Sequence, residues 1–572
     1  MEQLSVVIAT LNSQYIHASL APWCLKAGLT AYGDPAICAH VVEGTVNEPV
    51  SAAAQRILAC SPQVVGLSCY IWNIEHTAIL IRQLRQSSPH LTIIVGGPEV
   101  SYCAERVLSQ NPDIDFLIAG EGELPFALLC NALLCGDPDR FSHPAVLRRG
   151  GAAPTPYTPD DIPPSPYCKE ALESFLGRIA YLETSRGCPF RCAFCLSGRC
   201  GNVRYYPLER AKQELLLLAT SGAKVVKLVD RTFNANRARA LVLFQYIIEN
   251  YGSAIPDGMC FHFEIAGDLL DDETLSCLAH APVGSMQFEI GLQSFYPDTL
   301  EAVCRKTDLA RLESNIRRLL LPGNVHVHVD LIAGLPLEDY QQFSDSFNRA
   351  FSLRPHMLQM GFLKRLFGSP MAEQPDRYPG RFCDSAPYEV QDTPWLCKRE
   401  LDQLRKTAFE LDRLYNSGRF HTTLQYVLEA SGLSPFSLFS RIADAMDCKA
   451  GDSLDQVTAA AFAALSSIPA VDPLRLRDVM LFDRLTTNPS CQIPTVLRVE
   501  DPQLKAVRNH LRMLGYFPAD GIRHCEAILY TERAALTVWY AQKHPVTGAY
   551  ESRKIPLQAL LSDTARNDDH AQ

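Results

Sequence analysis

Short apolar runs alternate with amphipathic stretches along the first part of the chain, up to about residue 134. The runs are rich in β-branched and aliphatic residues and predict five strands, at Leu4–Thr10, Ile37–Val42, Val64–Cys69, Thr92–Val95 and Asp115–Ala119. The stretches between them carry apolar residues at helical spacing. Five βα units predict an α/β fold with a doubly wound parallel sheet, which binds ligands at the carboxyl ends of its strands.

The same alternation restarts near Arg178. It predicts six further strands, at Ile179–Glu183, Val225–Val229, Cys260–Ile265, Met286–Ile290, Val325–Ile332 and Met357–Leu363. Helical patterns separate most of them. Six such units predict a partial or complete β/α barrel, in which chemistry collects at the carboxyl ends of the strands.

Composition shifts mark the remaining parts of the chain. A proline-rich stretch from Gly150 to Cys168 predicts a connector, and beyond about Glu373 the pattern becomes mostly helical and ends in a predicted β-hairpin within residues 527–557. The predicted domains are therefore 1–140, a linker at 141–176, the barrel at 177–375 and a C-terminal domain at 376–572.

The chain of 572 residues has an ordinary globular composition, with 47% hydrophobic and 20% charged residues. The N-terminal stretch has no basic region before an apolar run, and no apolar run reaches the roughly 18 residues that span a bilayer. We therefore expect a cytoplasmic protein with no membrane partner. The net charge of −10 argues against a broad surface for nucleic acids.

Three thiols, Cys188, Cys192 and Cys195, lie just beyond the first predicted barrel strand. A structural zinc would need a fourth ligand, from Cys200 or a later histidine. In a [4Fe–4S] cluster, three cysteines leave one iron open for a ligand that the protein does not supply. Inert, packed cysteines are a third interpretation, but the position at a strand end favours a functional one.

This arrangement resembles the radical S-adenosylmethionine (SAM) superfamily, whose CxxxCxxC motif follows the first barrel strand. The resemblance implies that Cys188, Cys192 and Cys195 bind a [4Fe–4S] cluster and that SAM binds its open iron. Four further motifs follow in the family's order, "KLVDRTFNAN", "FHFEIAGDLL", "EIGLQSF" and "DLIAGLPLED". The residues that the resemblance places at the cluster and SAM are Phe194, Asp230, Glu264, Gln293, Ser294 and Gly334.

The first domain resembles the cobalamin-binding domain of B12-dependent radical SAM enzymes. Its motifs "GLSCYIWN", "VGGPEV" and "AGEGE" imply that the corrin and its nucleotide tail are contacted by Ser68, Tyr70, Gly96, Gly97, Pro98, Glu121, Gly122 and Glu123. Taken alone, Gly96-Gly97-Pro98 is more typical of a tight turn than of a ligand loop. No Asp-x-His-x-x-Gly motif occurs in this domain, and His17 and His40 lack that context. We therefore expect base-off cobalamin with no histidine ligand from the protein.

The resemblance implies an enzyme that uses a [4Fe–4S] cluster, SAM and cobalamin. The first hypothesis is methylation of an unactivated carbon or phosphorus centre through a 5′-deoxyadenosyl radical and methylcobalamin. The alternatives are oxidation or cyclisation without methyl transfer, and a sensor without turnover. The substrate is not indicated, and a flavodoxin- or ferredoxin-type reductant is the expected partner.

Two features beyond the barrel motifs have open interpretations. Lys364 follows the sixth predicted strand, where a barrel places functional side chains, and is either a contact to substrate or SAM or a solvated lysine. The C-terminal region resembles an uncharacterised domain of one branch of B12-binding radical SAM proteins. It is either a lid over the barrel mouth or a helical packing module.

Overall fold

The computed structural model describes residues 3–151, 153–200, 202–515 and 521–561. Its first sheet has six strands in the order β2-β1-β3-β4-β5-β6. These strands are β1 (Leu4–Asn12), β2 (Ile37–Thr45), β3 (Val64–Ser68), β4 (Thr92–Gly96), β5 (Phe116–Ile118) and β6 (Val146–Leu147). The first five are parallel, as predicted, and β6 adds antiparallel to β5.

Helices cover both faces of this sheet. They are α1 (Ala21–Tyr32), α2 (Val50–Ala59), α3 (Ile74–Ser87), α4 (Pro98–Ser101), α5 (Ala104–Gln110) and α6 (Glu123–Leu134). Alternate residues of β1 belong to different apolar cores: Val7 and Ala9 pack with α2 and α3, while Val6 and Ile8 pack with α1 and α6. Burial on both faces explains the nearly continuous apolar strands of the sequence.

The second sheet contains six parallel strands in the order β7-β10-β11-β12-β13-β14. Strands of this part of the chain are β7 (Ile179–Leu182), β8 (Ser185–Arg186), β9 (Arg204–Tyr205), β10 (Val225–Leu228), β11 (Cys260–Ile265), β12 (Met286–Gln293), β13 (His326–Ala333) and β14 (Met357–Phe362). Its helices are α7 (Lys169–Ser174), α8 (Leu208–Ala219), α9 (Arg237–Asn250), α10 (Asp272–Leu278), α11 (Pro297–Ala302), α12 (Leu309–Leu320) and α13 (Tyr340–Ser352). This is the predicted barrel in its partial form.

Side chains alternate between the two faces of the barrel strands. Phe261 and Phe263 of β11 are fully buried, and Phe263 packs edge to face with Phe244 of helix α9. The alternate residues of the same strand, His262 and Glu264, point to the opposite, inner face. The outer face therefore forms the core, and the inner face is free to carry polar chemistry.

Six strands do not close a barrel, and other parts of the chain cover both free edges. At the β7 edge, the Ile179 N–H donates to Ile16 O at 2.8 Å and the Ala18 N–H donates to Ile179 O at 3.3 Å. At the β14 edge, the Asn416 side chain accepts from the Leu358 N–H and donates to Leu358 O, both at 2.9 Å. Neither edge is left as an open row of backbone groups at these positions.

The proline-rich connector is held between the two sheets. The Tyr157 N–H donates to Ala119 O at 3.0 Å, and the Glu121 N–H donates to Tyr157 O at 2.8 Å. Gly120 has φ +84°, and a Cβ there would lie 2.3 Å from the Tyr157 nitrogen, so this close approach requires glycine. The connector is therefore packed, not a free tether.

The C-terminal part begins with two short strands and continues as helices. Its elements are α14 (Pro370–Glu373), β15 (Arg381–Phe382), β16 (Val390–Asp392), α15 (Lys398–Leu411), a π-helix at Asp412–Asn416, α16 (His421–Ser431), α17 (Pro435–Ala445), α18 (Leu454–Ser466), α19 (Pro473–Thr487), α20 (Gln503–Met513), β17 (His524–Leu529), β18 (Ala534–Lys543), β19 (Tyr550–Pro556) and α21 (Leu557–Leu561). The predicted hairpin is part of a three-stranded antiparallel sheet, β17-β18-β19. Across the described ranges, no helix combines the length and apolar character needed to cross a bilayer.

Most of this part packs away from the barrel mouth. Tyr415 OH donates to Pro355 O, before β14, and Pro545 lies where a Cβ on Gly284, before β12, would be 2.4 Å away. Both contacts are at the amino ends of the barrel strands. Shorter segments reach the carboxyl ends: Met371 of α14 contacts the loop after β7, and the Val390 N–H of β16 donates to Leu363 O at 2.9 Å. The helices therefore support the floor and edge of the barrel.

Candidate functional site

The cysteine loop leaves the carboxyl end of β7 and is fixed by backbone hydrogen bonds. The Ala193 N–H donates to Val303 O at 2.8 Å, and the Met371 N–H donates to Ala193 O at 3.0 Å. Cys192 is 6% exposed, whereas Cys188 and Cys195 are partly exposed. The side chain of Cys200, the alternative ligand, lies outside the described part of the chain.

Two of the three sulfur atoms lie beside a hydrogen-bond donor, and the third lies beside a hydroxyl group. Arg305 Nη1 lies 3.7 Å from Cys192 Sγ, the Ser197 N–H donates to Cys195 Sγ at 3.4 Å, and Thr232 Oγ1 lies 3.6 Å from Cys188 Sγ. The pKa of the Cys192 thiol is raised because the side chain is buried. The Arg305 guanidinium opposes part of this rise. Such donors stabilise the thiolate form that a metal centre requires.

Asp230, which follows β10, holds the start of the cysteine loop. Its carboxylate accepts from the Thr184 N–H at 3.0 Å and from Thr184 Oγ1 at 2.7 Å, and Ser185 Oγ also donates to it. Burial raises the pKa of Asp230 to about 6 despite these donors. Asp230, a predicted cofactor contact, therefore holds the start of the cysteine loop in place in the structure.

The predicted SAM residues Gln293, Ser294 and Gly334 lie at the carboxyl ends of β12 and β13. Gln293 has φ +75°, and its Oε1 is buried and has no hydrogen-bond partner within the described residues. Ser294 donates to Glu338 Oε1 at 2.6 Å. Gly334 has φ +93°, and a Cβ there would lie 2.9 Å from Val390 Cγ1. An orphaned acceptor and a close backbone turn suit the approach of a polar ligand.

Glu338 is a buried carboxyl group that sequence reasoning did not single out. Ser294 and Ser346 both donate to its Oε1, at 2.6 and 2.9 Å, while its Oε2 is buried without a partner in the described part of the protein. Burial raises its pKa to about 7. The folded state therefore binds this proton more tightly than the unfolded chain does.

We predict that ionisation of Glu338 lowers the free energy of unfolding as the pH rises. The loss begins near its pKa in the unfolded chain, about 4.5, and is complete above its pKa in the folded protein, about 7. Each pKa unit corresponds to about 1.4 kcal/mol, so the full loss is about 3 kcal/mol. Glu338→Gln removes this slope, because an amide cannot ionise. Denaturant midpoints at about pH 5 and about pH 8 measure it. The exposed Glu301→Gln is the control, and an unchanged slope in Glu338→Gln contradicts the prediction.

The inner face of the barrel carries a compact charged group on β10 to β13. Glu289 Oε2 accepts from His262 Nε2 at 2.9 Å and from Lys227 Nζ at 3.0 Å. Burial alone would raise the pKa of Glu289, but the His262 hydrogen bond and the Lys227 ammonium lower it to about 2. Lys227 Nζ also lies 3.7 Å from the carboxylate of Glu264, a predicted SAM residue. The pKa of Glu264 is raised by burial and by the neighbouring Glu289 carboxylate.

Two further residues of β13 complete this group. His328 pairs with Glu289 in the strand register, and His328 Nε2 lies 2.8 Å from Asp330 Oδ1. Lys227, His262, Glu264, Glu289, His328 and Asp330 thus form one group of charged side chains on the inner face of the barrel. Such a group can hydrogen-bond a polar ligand on this face.

At the first sheet, the predicted corrin contacts cluster at the carboxyl ends of β3 and β4. Tyr70 stacks on Trp72 with ring centroids 4.4 Å apart, and Trp72 remains 47% exposed. Ser68 is buried, and its carbonyl accepts from the Asn73 side chain at 3.0 Å. The Gly96-Gly97-Pro98 segment leads from β4 into α4, and Gly97 has φ +110°. An exposed aromatic platform beside glycine turns suits a large flat ligand.

Glu121 and Glu123 instead bind arginines near the cysteine loop. Arg186 lies 2.5 Å from Glu121, 2.6 Å from Glu123 and 2.9 Å from Glu183, and all these side chains are largely buried. Arg204 also binds Glu121. Gly122, between them, packs against α1, where its Cβ would lie 2.8 Å from a Leu25 methyl group. These carboxylates join the two sheets.

The remaining candidates fall in different places. His17 Nδ1 is 2.7 Å from Tyr181 OH, so its ring is engaged by the barrel. Phe194 is partly buried against the main core. Lys364 is exposed and forms a backbone bridge with Glu389.

Sequence reasoning did not single out Arg186, inside the "TSRGC" motif, or Arg305, which only the fold brings to Cys192.

Comparison with known proteins identifies three successive domain families. The B12 binding domain model matches residues 6–129, the radical SAM superfamily model matches residues 182–350, and a model described as a protein of unknown function (DUF4080) matches residues 376–514. The predicted domain boundaries agree with this order, and their exact positions stay predictions.

Curated relatives include two methyltransferases. A 2-(S-pantetheinyl)-carbapenam-3-carboxylate methyltransferase from Streptantibioticus cattleyicolor is 28% identical over 52% of this chain and 46% of the relative. The cobalamin-dependent radical SAM methyltransferase TokK from Streptomyces tokunonensis is 27% identical over 54% of this chain and 47% of TokK. The chain thus matches about half the length of these relatives.

A solved structure shares the fold over most of the chain. The cobalamin-dependent SAM radical enzyme OxsB, with aqua-cobalamin and SAM bound, aligns over 91% of this chain and 82% of its own, with a TM-score of 0.57 and 14% identity. At this identity the likeness concerns the fold. Together, the domain matches show that the chain carries a B12 binding domain, a radical SAM domain and a domain of unknown function, in this order.

Proposed function

We propose that the protein is a cobalamin-dependent radical SAM methyltransferase that acts on an unactivated carbon or phosphorus centre. The observation that carries this proposal is the cysteine loop, whose Cys192 and Cys195 sulfurs lie beside Arg305 and the Ser197 N–H and whose Arg186 binds Glu121 of the B12-binding domain. When bound, the cluster and SAM supply the radical and the cobalamin supplies the methyl group.

The residues of the chain have distinct tasks in this proposal. Cys188, Cys192 and Cys195 hold the cluster, and Asp230 fixes the entry to their loop. Glu264, Gln293, Ser294 and Gly334 line the SAM position, and the stacked pair Tyr70–Trp72 supports the corrin. We place no protein histidine on cobalt, because the first domain contains no Asp-x-His-x-x-Gly motif. A one-electron reductant protein is the expected partner.

The products of SAM test this function. We expect S-adenosylhomocysteine and 5′-deoxyadenosine to form together, because one SAM cannot serve as both methyl donor and radical source. With methyl-deuterated SAM, the label is expected first in protein-bound cobalamin and then in the substrate, as followed by mass spectrometry of anaerobic reactions.

A matched variant identifies the step that needs the cluster. Cys192→Ala is expected to stop formation of 5′-deoxyadenosine and of labelled product. If 5′-deoxyadenosine forms with substrate while S-adenosylhomocysteine stays at background and no label reaches cobalamin, the methyltransferase proposal is wrong. Oxidation or cyclisation then becomes the better description.

A further inference from the structure

Three side chains on the inner face of the barrel come together: Glu289 of β12, and His328 and Asp330 of β13. One ligand atom from each of these residues lies within 4.8 Å of those of the other two. The strand register explains this, because Glu289 pairs with His328, and Asp330 follows two positions later on the same face. Val327 and Val329, the alternate residues of β13, are fully buried in the core. The arrangement is therefore built into two neighbouring strands.

His328 and Asp330 carry buried polar atoms that lack a hydrogen bond. His328 is only 5% exposed, and neither its Nε2 atom nor Asp330 Oδ1 has a hydrogen-bond partner within the described residues. The two atoms lie 2.8 Å apart, which is the distance of an ion pair, but they are not aligned for a hydrogen bond with each other. Buried atoms of this kind are satisfied by a partner that both can share.

A metal ion is a shared partner that fits this distance. Two bonds of about 2.0–2.1 Å that meet at a right angle on a metal place the ligand atoms roughly 3 Å apart. The separation of 2.8 Å between His328 Nε2 and Asp330 Oδ1 is close to this value. One imidazole with two carboxylates forms a nitrogen and oxygen donor set, which suits divalent zinc, iron or manganese and does not suit copper(I).

The neighbouring side chains support such an ion through orientation and charge. Glu289 Oε2 accepts from His262 Nε2 at 2.9 Å and from Lys227 Nζ at 3.0 Å, so this carboxylate is held in place. Within the group, the carboxylates of Glu264, Glu289 and Asp330 stand against the single ammonium of Lys227. With neutral histidines, the group has an excess of negative charge that one divalent cation balances.

We propose that Glu289, His328 and Asp330 bind one divalent metal ion on the inner face of the barrel. Three protein ligands leave coordination positions open, as in catalytic metal sites. The ion can therefore hold an oxygen or nitrogen atom of a substrate, so substrates with a metal-binding group such as a carboxylate suit this face. Only this role toward a substrate rests on the proposed function, because the metal site itself does not require the cluster.

Titration of the full-length apoprotein with Mn²⁺ tests the site. Mn²⁺ is the probe because it prefers oxygen ligands to thiolates and because its electron paramagnetic resonance signal counts the free ion. We expect about one Mn²⁺ to bind per chain, and H328L/D330L to bind it at least about tenfold more weakly. This variant replaces both polar partners with apolar side chains, so neither is left unpaired. The control H90L/D257L changes an exposed histidine and an exposed aspartate elsewhere and is expected to keep the wild-type affinity.

A histidine ligand separates this site from unspecific binding to carboxylates. In protein containing isotope-labelled histidine, the nitrogen coupling in the electron spin echo of bound Mn²⁺ is expected to change with the label. Equal Mn²⁺ affinity in wild type and H328L/D330L, or bound Mn²⁺ without a histidine coupling, would overturn the proposal.

Two features of the design keep the test decisive. If H328L/D330L fails to fold, the wild-type protein decides alone: about one bound Mn²⁺ with a histidine coupling supports the site, and the absence of either rejects it. None of these measurements depends on the products of SAM, so the metal site and the proposed function can fail separately.

Discussion

Replacing Cys192 with alanine is expected to lower the iron content of anaerobically reconstituted protein from about four per chain to near zero. Cys192 is the most buried of the three thiols and has the arginine contact, so its loss removes one cluster ligand together with its charge support. Alanine at Cys188 or Cys195 is expected to have the same result. Iron and sulfide analysis and the absorbance of the cluster measure this loss.

Two other cysteines provide matched controls. Cys304 is exposed, precedes the arginine that contacts Cys192, and is not part of the proposed ligand set. Cys200 ends the cysteine loop. Alanine at either position is expected to retain the full cluster. If Cys200→Ala loses iron as completely as Cys192→Ala does, the centre has four protein ligands, and the open iron required by the proposed function does not exist.

Replacing Arg186 with methionine is expected to lower the free energy of unfolding by about 3 kcal/mol or more. One guanidinium binds Glu121, Glu123 and Glu183 in a largely buried position, so its removal leaves three carboxylates facing one another without this charge. Burial already raises the pKa of Glu121 even with arginine present. Denaturant unfolding of the apoprotein measures the effect.

Arg148→Met tests whether any lost ion pair has this effect. Its pair with Asp139 is exposed, so we expect a loss below about 1 kcal/mol. In the Arg186→Met background, Glu123→Gln is expected to restore part of the stability, because it removes one of the unpaired charges. Equal losses in the two arginine variants would show that the buried network does not hold the two sheets together.

Local patterns were sufficient to predict the parallel strands of the two large sheets. The β11 prediction matches its observed bounds, Cys260–Ile265, because alternating aromatic and polar residues determine both the strand and its two faces. β12 and β13 also lie where apolar alternation places them, although β12 continues to Gln293. The local sequence does not predict this extension, because it depends on pairing with β13. Gln293 pairs with Leu331 only after a shift in the register of the two strands.

The site was predictable only where its residues follow one another in the chain. The cysteine motif and the glycine turns have a local signal. In contrast, Arg305 reaches Cys192 across 113 positions, and the partners of Glu121 are 65 and 83 positions away. The "AGEGE" motif predicts a ligand loop, which stays a prediction, but it gives no sign that both of its glutamates bind arginines of the next domain. The C-terminal sheet was underestimated because a hairpin pattern does not reveal a third strand.

The covered edges of the barrel limit how this protein can be divided. A fragment containing only residues 177–375 would lose the backbone partners of Ile179 and the Asn416 amide that binds Leu358. It would present two unpaired strands, which favour association between copies. The three matched domains are therefore joined by backbone hydrogen bonds at the barrel edges. Exchange of the middle module between proteins would require simultaneous exchange of the neighbouring segments that complete its sheet.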